Sequence, residues 1–413
     1  MSYKTISQSQ IGQETAKNSQ IVTSSVRLIN SGVSTGSPVT PTVSSIIVTD
    51  SGYNNVSANL TSTNSYIKIF GTNFQSNSNV YVQNTLVSGA NVSYISSSEL
   101  RVALPVLLDT GTNLFLSVIN PINYNYSSFT FIDLPPLVPN VINYLVVAGA
   151  GAGGGHCGGG GGAGGLLYSN TSTITSSSYT VSVTVGAGAA VSPGYPSAPF
   201  ARGGNGTNSS LVVFGNTTQT ITSTGGGGGG TRYPDSSFSQ GANGGSGGGG
   251  SNEGPTTAGS GIGGQGNNGG NGHESDGRSG GGGGGAGSGG VAGAPYAAGN
   301  GGSGLQLAIN GTNTYYSAGG GGGLFAPATA GLAGTGGNGN GGANAVGTSG
   351  TANRGHGGGG GVGGGGAGGS GIVIIRWPAS FADPTSSTGS PNKTTADGHT
   401  IYTFNSSGTL TFG

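Results

Sequence analysis

Apolar residues in this chain come in short runs broken by polar ones, and almost nowhere do they recur at the three- and four-residue spacing of an amphipathic helix. From Val43 to Ile132, β-branched and aromatic residues alternate with Ser, Thr and Asn in segments at 44–50, 66–71, 79–84, 93–105, 113–120 and 129–133. That period of two is what half-buried strands require, because successive side chains point to opposite faces of a sheet. Short strands with frequent Gly or Asn turns predict a β-sandwich over residues 41–137, with Tyr66, Phe70, Phe74, Tyr81 and Phe115 in its core. Further strands are expected at 142–149, 178–188, 209–225, 304–311 and 369–378. A hairpin with a Ser-Ser-Gly turn is expected over 397–413. Residues 1–40 are polar, and Ile21, Val22, Val26, Leu28 and Ile29 fit a short strand or a helix equally. This stretch reads as an attachment segment and linker.

Glycine changes the picture after Ala148. It supplies 95 of the 413 residues, where about 7% is usual. It gathers in runs at 158–162, 225–230, 247–250, 280–285, 319–323, 357–361 and 363–366. A Gly/Ser tract by itself reads as a flexible linker. A linker has no use for four consecutive apolar residues such as Ile372 to Ile375, or for aromatic clusters between the glycine runs. The alternative is a stack of polyproline-II-type glycine helices. Such a helix has three residues per turn and no internal hydrogen bonds, so its amides and carbonyls point outward and can pair with neighbouring helices. Glycine is then needed because a Cβ would hold the backbones apart. The chain reads as all-β: a β-sandwich, then a glycine-rich domain of β-strands and stacked polyglycine-II helices at 138–378, then a linker and C-terminal β-hairpin at 379–413.

Charge narrows the partners. Charged residues make up 5% of the chain, and Lys plus Arg equals Asp plus Glu at 11 each. No net field draws the chain to nucleic acid or to an anionic membrane. One cysteine, Cys157, excludes an intrachain disulfide and suits assembly in a reducing cytoplasm. Neither a signal-peptide core nor an apolar run of membrane-spanning length is visible, so no membrane insertion is expected.

Catalytic patterns are missing where they would be informative. G-x-G-x-x-G occurs many times in such a sequence and carries nothing without a strand before it and a helix after it. No G-K-[ST] phosphate loop and no G-x-S-x-G elbow leading into a helix are present. His156 and Cys157 could join His273 or His356 around a metal, but no C-x-x-C or H-x-x-x-H spacing supports it. The His-Glu-Ser-Asp stretch at 273–276 offers an acid and a base in a glycine loop, where such residues are usually solvated. The expectation is a protein that is not an enzyme and needs no cofactor or metal.

Two resemblances add to this. Residues 66–74 (YIKIFGTNF), 79–87 (NVYVQNTLV) and 96–105 (SSSELRVALP) resemble the immunoglobulin-like IPT/TIG domain, in which an I-x-G-x-x-F turn precedes a strand. This implies an immunoglobulin-like sandwich acting as a spacer or binding module. The ordered motifs YLVVAGAGAGGG, TVSVTVGAG, TITSTGGGGGG and GGSGIVIIRW, spread over about residues 142–378, resemble the glycine-rich domain of bacteriophage tail fibres and related adhesins. That resemblance implies a virion-surface appendage, assembled in the host cytoplasm and acting outside the cell. It also implies a homotrimer.

Recognition then falls to loops between the glycine rods. Candidates are Tyr195, Phe200, Tyr233, Phe238, Tyr296, Tyr315, Tyr316 and Phe325, many of them flanked by proline. Such aromatics can stack on sugars or fill a partner's pockets; equally, they can cover the edges of the glycine stack. Trp377 is expected to be buried against the preceding domain. The expected partners are a host cell-surface glycan or outer-membrane protein, with other virion proteins held through the N-terminal segment. A decoration or connector protein of the phage head, neck or tail is the alternative. An ice-binding protein ranks last, because the regular threonine ranks it needs are not visible.

Overall fold

A computed structural model of the chain describes residues 40–54, 66–82, 85–104, 114–120, 127–132, 138–174, 178–193, 201–232, 237–254, 256–275, 277–325, 329–379 and 381–413. The short strand or helix expected near Ile21 to Ile29 lies outside these residues. The chain divides into two compact units, one ending at Leu137 and including Ser380–Ala382, the other spanning Val138–Ala379 and Asp383–Gly413.

The first unit has strands β1 (Thr42–Thr49), β2 (Tyr66–Thr72), β3 (Asn79–Val82), β4 (Thr85–Leu86), β5 (Val92–Ser96), β6 (Glu99–Ala103), β7 (Leu114–Ile119) and β8 (Ser127–Ile132). They form two antiparallel sheets, ordered β1-β2-β6-β5 and β4-β3-β7-β8. Ile67, Ile69, Leu100 and Val102 from one sheet meet Val80, Val82, Leu116 and Val118 from the other in a single core. Alternation along each strand produces this. It also corrects the expected core: only Phe74 among the described sandwich aromatics is buried, while Tyr66, Phe70 and Tyr81 occupy the half-exposed positions between the aliphatic ones. The segment 93–105 is two strands, paired across Ser96↔Glu99. Gly71 is required where β2 passes β1, because a Cβ there would lie 1.8 Å from the Thr42 carbonyl oxygen.

The second unit has β9 (Val141–Val147), β10 (Leu166–Thr173), β11 (Tyr179–Thr184), β12 (Ser192–Pro193), β13 (Ser209–Phe214), β14 (Thr218–Ser223), β15 (Leu305–Leu307), β16 (Thr314–Tyr316), β17 (Gly364–Gly365), β18 (Ile372–Pro378), β19 (Ser386–Thr388), β20 (Asn392–Ala396), β21 (His399–Phe404) and β22 (Gly408–Phe412). Ten of these make two sheets, ordered β10-β9-β18-β21-β20 and β14-β13-β11-β22-β19. The sheets face each other through Trp377 of β18, whose ring meets Phe412 of β22 edge-on at 5.2 Å and stacks on Tyr402 at 5.3 Å. On the outer side of β9 and β18, Leu145, Val147, Ile372 and Ile374 pack with Ile309 and Tyr316 from the β15–β16 hairpin. A strand buried on both faces needs no alternation, which accounts for the unbroken run Ile372 to Ile375.

Three expectations fail here. Residues 397–413 are not a hairpin: β21 pairs with β18, and β22 pairs with β11 in the opposite sheet. The Ser-Ser-Gly segment carries the chain between sheets, because each sheet gains a backbone partner and a row of buried side chains that a detached hairpin would lack. The tight hairpin is instead β20–β21, turned at Asp397 and Gly398 with φ of 50° and 72°, the left-handed pair that a two-residue hairpin loop demands. Trp377 finds its cover within its own unit, on the aromatic rings of β21 and β22. The predicted strand over 209–225 is likewise a hairpin, β13–β14.

Glycine rods extend the sheets. β9 continues as residues 148–155, 158–165 leads into β10, β11 continues as 186–190, 201–208 leads into β13, β14 continues as 224–231, and 365–371 leads into β18. The rod 158–165 shows the packing rule. Gly159, Gly162 and Gly165 donate to Gly230, Gly227 and Thr224; Gly160 and Ala163 donate to Gly281 and Gly284; Gly161 and Gly164 donate to Gly358 and Gly355. Its carbonyls accept in the same rotation from Gly154, Gly151 and Ala148, from Gly249 and Ser246, and from Gly323 and Gly320, all at 2.7–3.1 Å. A donor that returns to the same neighbour every third residue, with no bond inside the rod, is the polyglycine-II arrangement.

This rod is therefore ringed by six others, 148–155, 224–231, 246–251, 279–285, 317–324 and 355–361, each bonded to the next around the ring. A second ring consists of 186–190, 201–208, 241–245, 256–260, 266–272, 289–293, 298–304, 331–335, 339–343, 347–351 and 365–371. It is complete except beside 224–231. There the amides of Gly225 and Gly228 donate to Asn208 and Asn205 Oδ1, each at 2.9 Å. Steric necessity is plain at the centre, where a Cβ on Gly161 would lie 2.1 Å from the Gly151 carbonyl oxygen.

Candidate functional site

Rods that leave the sheets and return to them place their connections at two ends. The end beside the sheets carries the β15–β16 hairpin and the turns at 261–265, 286–288, 336–338 and 352–354. At the far end lie the connections 155–158, 293–298, 343–347 and 361–365 and the described parts of those that join 190 to 201, 231 to 241, 251 to 256, 272 to 279 and 324 to 331. The charged residues between Ala148 and Gly371 are Arg202, Arg232, Asp235, Glu253, Glu274, Asp276, Arg278 and Arg354. Arg232, Glu253, Glu274 and Arg278 fall on far-end connections and Arg202 stands at the far end of the rod 201–208, while Arg354 is at the sheet end; Asp235 and Asp276 lie outside the described residues.

The far end is built around the turn that closes the central rod. His156 and Cys157 adopt φ of 54° and 61°, a left-handed pair uncommon for residues with a Cβ. Their amides are held by the Val362 and Gly361 carbonyls at 3.3 and 3.1 Å, and Thr231 Oγ1 donates to the Gly155 carbonyl at 2.6 Å. The Phe325 ring meets the His156 ring edge-on at 5.9 Å. Arg232 Nε donates to the Glu253 carboxylate, and Arg278 Nη1 stands 3.6 Å from the same oxygen. Tyr296, at φ 57°, lies over Gly277, where a Cβ would come within 2.6 Å of its ring.

The bridge His273↔Ser279 closes one connection on itself, and Ser279↔Leu324, Leu324↔Ala343 and Ala297↔Thr329 tie neighbouring connections side by side. These bridges order the connections they join, which lowers the entropy those residues would lose on binding. Burial pushes the Cys157 thiol up to about 12, which leaves it protonated and inert as a nucleophile. Burial, with the Arg232 charge, pulls His156 below its ordinary value, opposed by Glu253. The arrangement offers guanidinium groups, exposed rings and backbone edges for binding.

The sequence candidates divide. Tyr296 and Phe325 are on this face, 57% and 38% exposed, and Phe238 is half-buried beside them on the 231–241 connection. Tyr195, Phe200 and Tyr233 lie outside the described residues. Tyr315 and Tyr316 do not belong here: they are in β16, at the sheet end. Tyr316 is fully buried against Leu145, Val147 and Ile374, under the Arg354 guanidinium at 5.3 Å from its ring. The hairpin pairs Tyr316 with Leu305 and turns it into the core. His156, Arg232, Glu253 and Arg278 went unrecognised in the sequence as a group, although the signal was there: charges are confined to the breaks between certain glycine runs.

Among the described residues no three His, Cys, Asp or Glu side chains gather to hold a metal ion, and no helix is long and apolar enough to cross a membrane. A sequence profile described as a glycine-rich domain matches residues 127–378. The match ends at the last residue of β18, before the strands β19–β22 that complete both sheets. No curated protein and no solved structure matches the chain.

Proposed function

Because this chain belongs to the glycine-rich domain family, we propose that it is a phage virion appendage of the fibre or adhesin kind, whose far-end connections bind a host-surface receptor. The observation that carries this reading is the polarity of the rod array. One end is continuous with a pair of facing β-sheets. The other gathers Arg232, Glu253, Glu274 and Arg278 together with Tyr296 and Phe325, with Arg202 at the rod end beside them, and bridges tie the connections that carry Arg278 and Tyr296 to the one that carries Phe325. Loops displayed on a rigid scaffold are the usual place for recognition. In this reading the sandwich formed by β1–β8, which resembles IPT/TIG domains, is a spacer, residues 1–40 attach to other virion proteins, and the protein acts on the virion surface as a homotrimer.

The test is binding of fluorescently labelled full-length chain to a panel of bacterial cells. Replacing Tyr296 and Phe325 together by Ser should reduce binding to the cells recognised by the wild type, with each contact worth on the order of 1–3 kcal/mol. Equal binding by a folded double variant would favour the connector reading, in which this face meets another virion protein or none.

A further inference from the structure

We propose that the centre of the far-end face is a subsite for an anionic sugar, whose carboxylate or phosphate is taken by Arg278 with Arg232 and whose ring lies against Phe325 and Tyr296. The proposal rests on the reading that this face meets a host surface.

Its basis is an uneven ion pairing among the described residues of this face. A single carboxylate, Glu253, serves two guanidinium groups. Arg232 is directly bonded to it and its side chain is 15% exposed. Arg278 is 47% exposed and its nearest approach to Glu253 is 3.6 Å, beyond hydrogen-bond length. Among the described residues no carboxylate engages its planar fork of donors closely, and such a fork matches the paired oxygens of a carboxylate or phosphate. Glu274, the other described acid at this end, makes no ion pair among the described residues.

The surroundings suit a sugar. Arg278 follows Gly277, over which the Tyr296 ring lies, and Ser279 bridges Leu324, which precedes Phe325. Two partly exposed rings thus belong to backbone that adjoins the residues on either side of Arg278. Aromatic faces take the apolar face of a pyranose while a charged group fixes its orientation. With a net charge of zero over the whole chain, attraction of an anion would be local to this cluster.

The experiment measures binding of the full-length chain to immobilised polygalacturonate, a phosphorylated mannan and neutral dextran, and to the cells it recognises. Binding to one of the charged polymers and not to dextran is expected, weakening with added salt. Polyuronate against phosphomannan separates carboxylate from phosphate recognition. Arg278→Gln should lower that affinity roughly tenfold or more, and Arg278→Lys should restore part of it; Lys393→Gln, on β20, is the remote control and should change nothing. Dextran bound as well as the charged polymers, no polymer bound, or Arg278→Gln binding like the wild type would each overturn the proposal. If cell binding is lost in the Tyr296/Phe325 variant but kept in Arg278→Gln, the anionic subsite falls and the far-end reading stands. Cell binding unchanged in both sinks the two together.

Discussion

The amide of Gly228 donates to Asn205 Oδ1 at 2.9 Å, at a position where every other direction around its rod is met by a main-chain group of a neighbour. Asn208 does the same for Gly225, three residues along each rod. Asn243, Asn268, Asn271, Asn300 and Asn340 likewise accept from amides of outer rods. Their side chains stand in for missing carbonyls, and they close the edge against a further glycine strand as edge residues do in sheets.

Replacing Asn205 and Asn208 by Ala should therefore cost about 0.5–1.5 kcal/mol per lost bond and speed amide exchange at Gly225 and Gly228. Asn205→Asp, which keeps an acceptor oxygen, should retain most of the protection. Exchange unchanged in the alanine variant would show that water satisfies these amides equally well.

Close backbone approach predicts a sharp positional contrast. Gly161→Val should lower stability by several kcal/mol, since its Cβ would meet the Gly151 carbonyl oxygen at 2.1 Å and the centre of the array has no free direction. Gly263, where a Cβ meets nothing within 4 Å, should accept Val with little change. Thermal unfolding of the two variants, with proteolysis reporting separately on the first unit, measures the difference.

Truncation after Pro378 should prevent folding of the second unit, although the family match ends there. The cut removes β19–β22, two strands from each sheet, and uncovers Trp377. Trp377→Ala alone should cost roughly 3–5 kcal/mol. A soluble, protease-resistant 138–378 fragment would contradict this.

Stability should fall with acid through His356. Burial, with the Arg354 charge, lowers it to about 4, opposed by its bond to the Tyr315 carbonyl. Above pH 6.5 the imidazole is neutral in folded and unfolded chains, and the full contribution is present. Between 6.5 and 4 the unfolded chain takes up the proton and the folded one does not, so up to roughly 3 kcal/mol is lost as pH falls. His356→Gln should flatten the dependence of Tm on pH across that window, less whatever His156 contributes in the same direction.

The sandwich strands were readable because alternation decides which side chain faces in, and Ile67, Ile69, Leu100 and Val102 follow it. The glycine rods were readable from composition interrupted by apolar strands. Other features depend on partners distant in sequence. β10, with its mixture of Leu, Tyr, Ser and Thr, carries a weak period-two signal and was not anticipated; its partner β9 defines it. Whether Asn405 to Ser407 turns a hairpin or crosses between sheets is decided by β11 and β18. Tyr315 and Tyr316 resemble the loop aromatics locally, and only the closure of β15 on β16 separates them from Tyr296 and Phe325. The far-end cluster escaped notice because Arg232, Glu253 and Arg278 come from different connections, which converge only when rods alternate in direction.

The position of the rod 158–165 also bears on how the domain is made. It is synthesised early, yet its bonds to 279–285, 317–324 and 355–361 wait for much later parts of the chain. Contacts so distant in sequence fold slowly. Throughout translation the innermost rod would have unpaired backbone groups that can recruit other chains, and its last neighbour arrives only shortly before β18 closes the sheet. Completion should be all-or-none and hard to reverse, since releasing the central rod requires breaking an entire ring. A domain closed in this way is protected by its unfolding rate, whatever its equilibrium stability, which would suit the extracellular role proposed above.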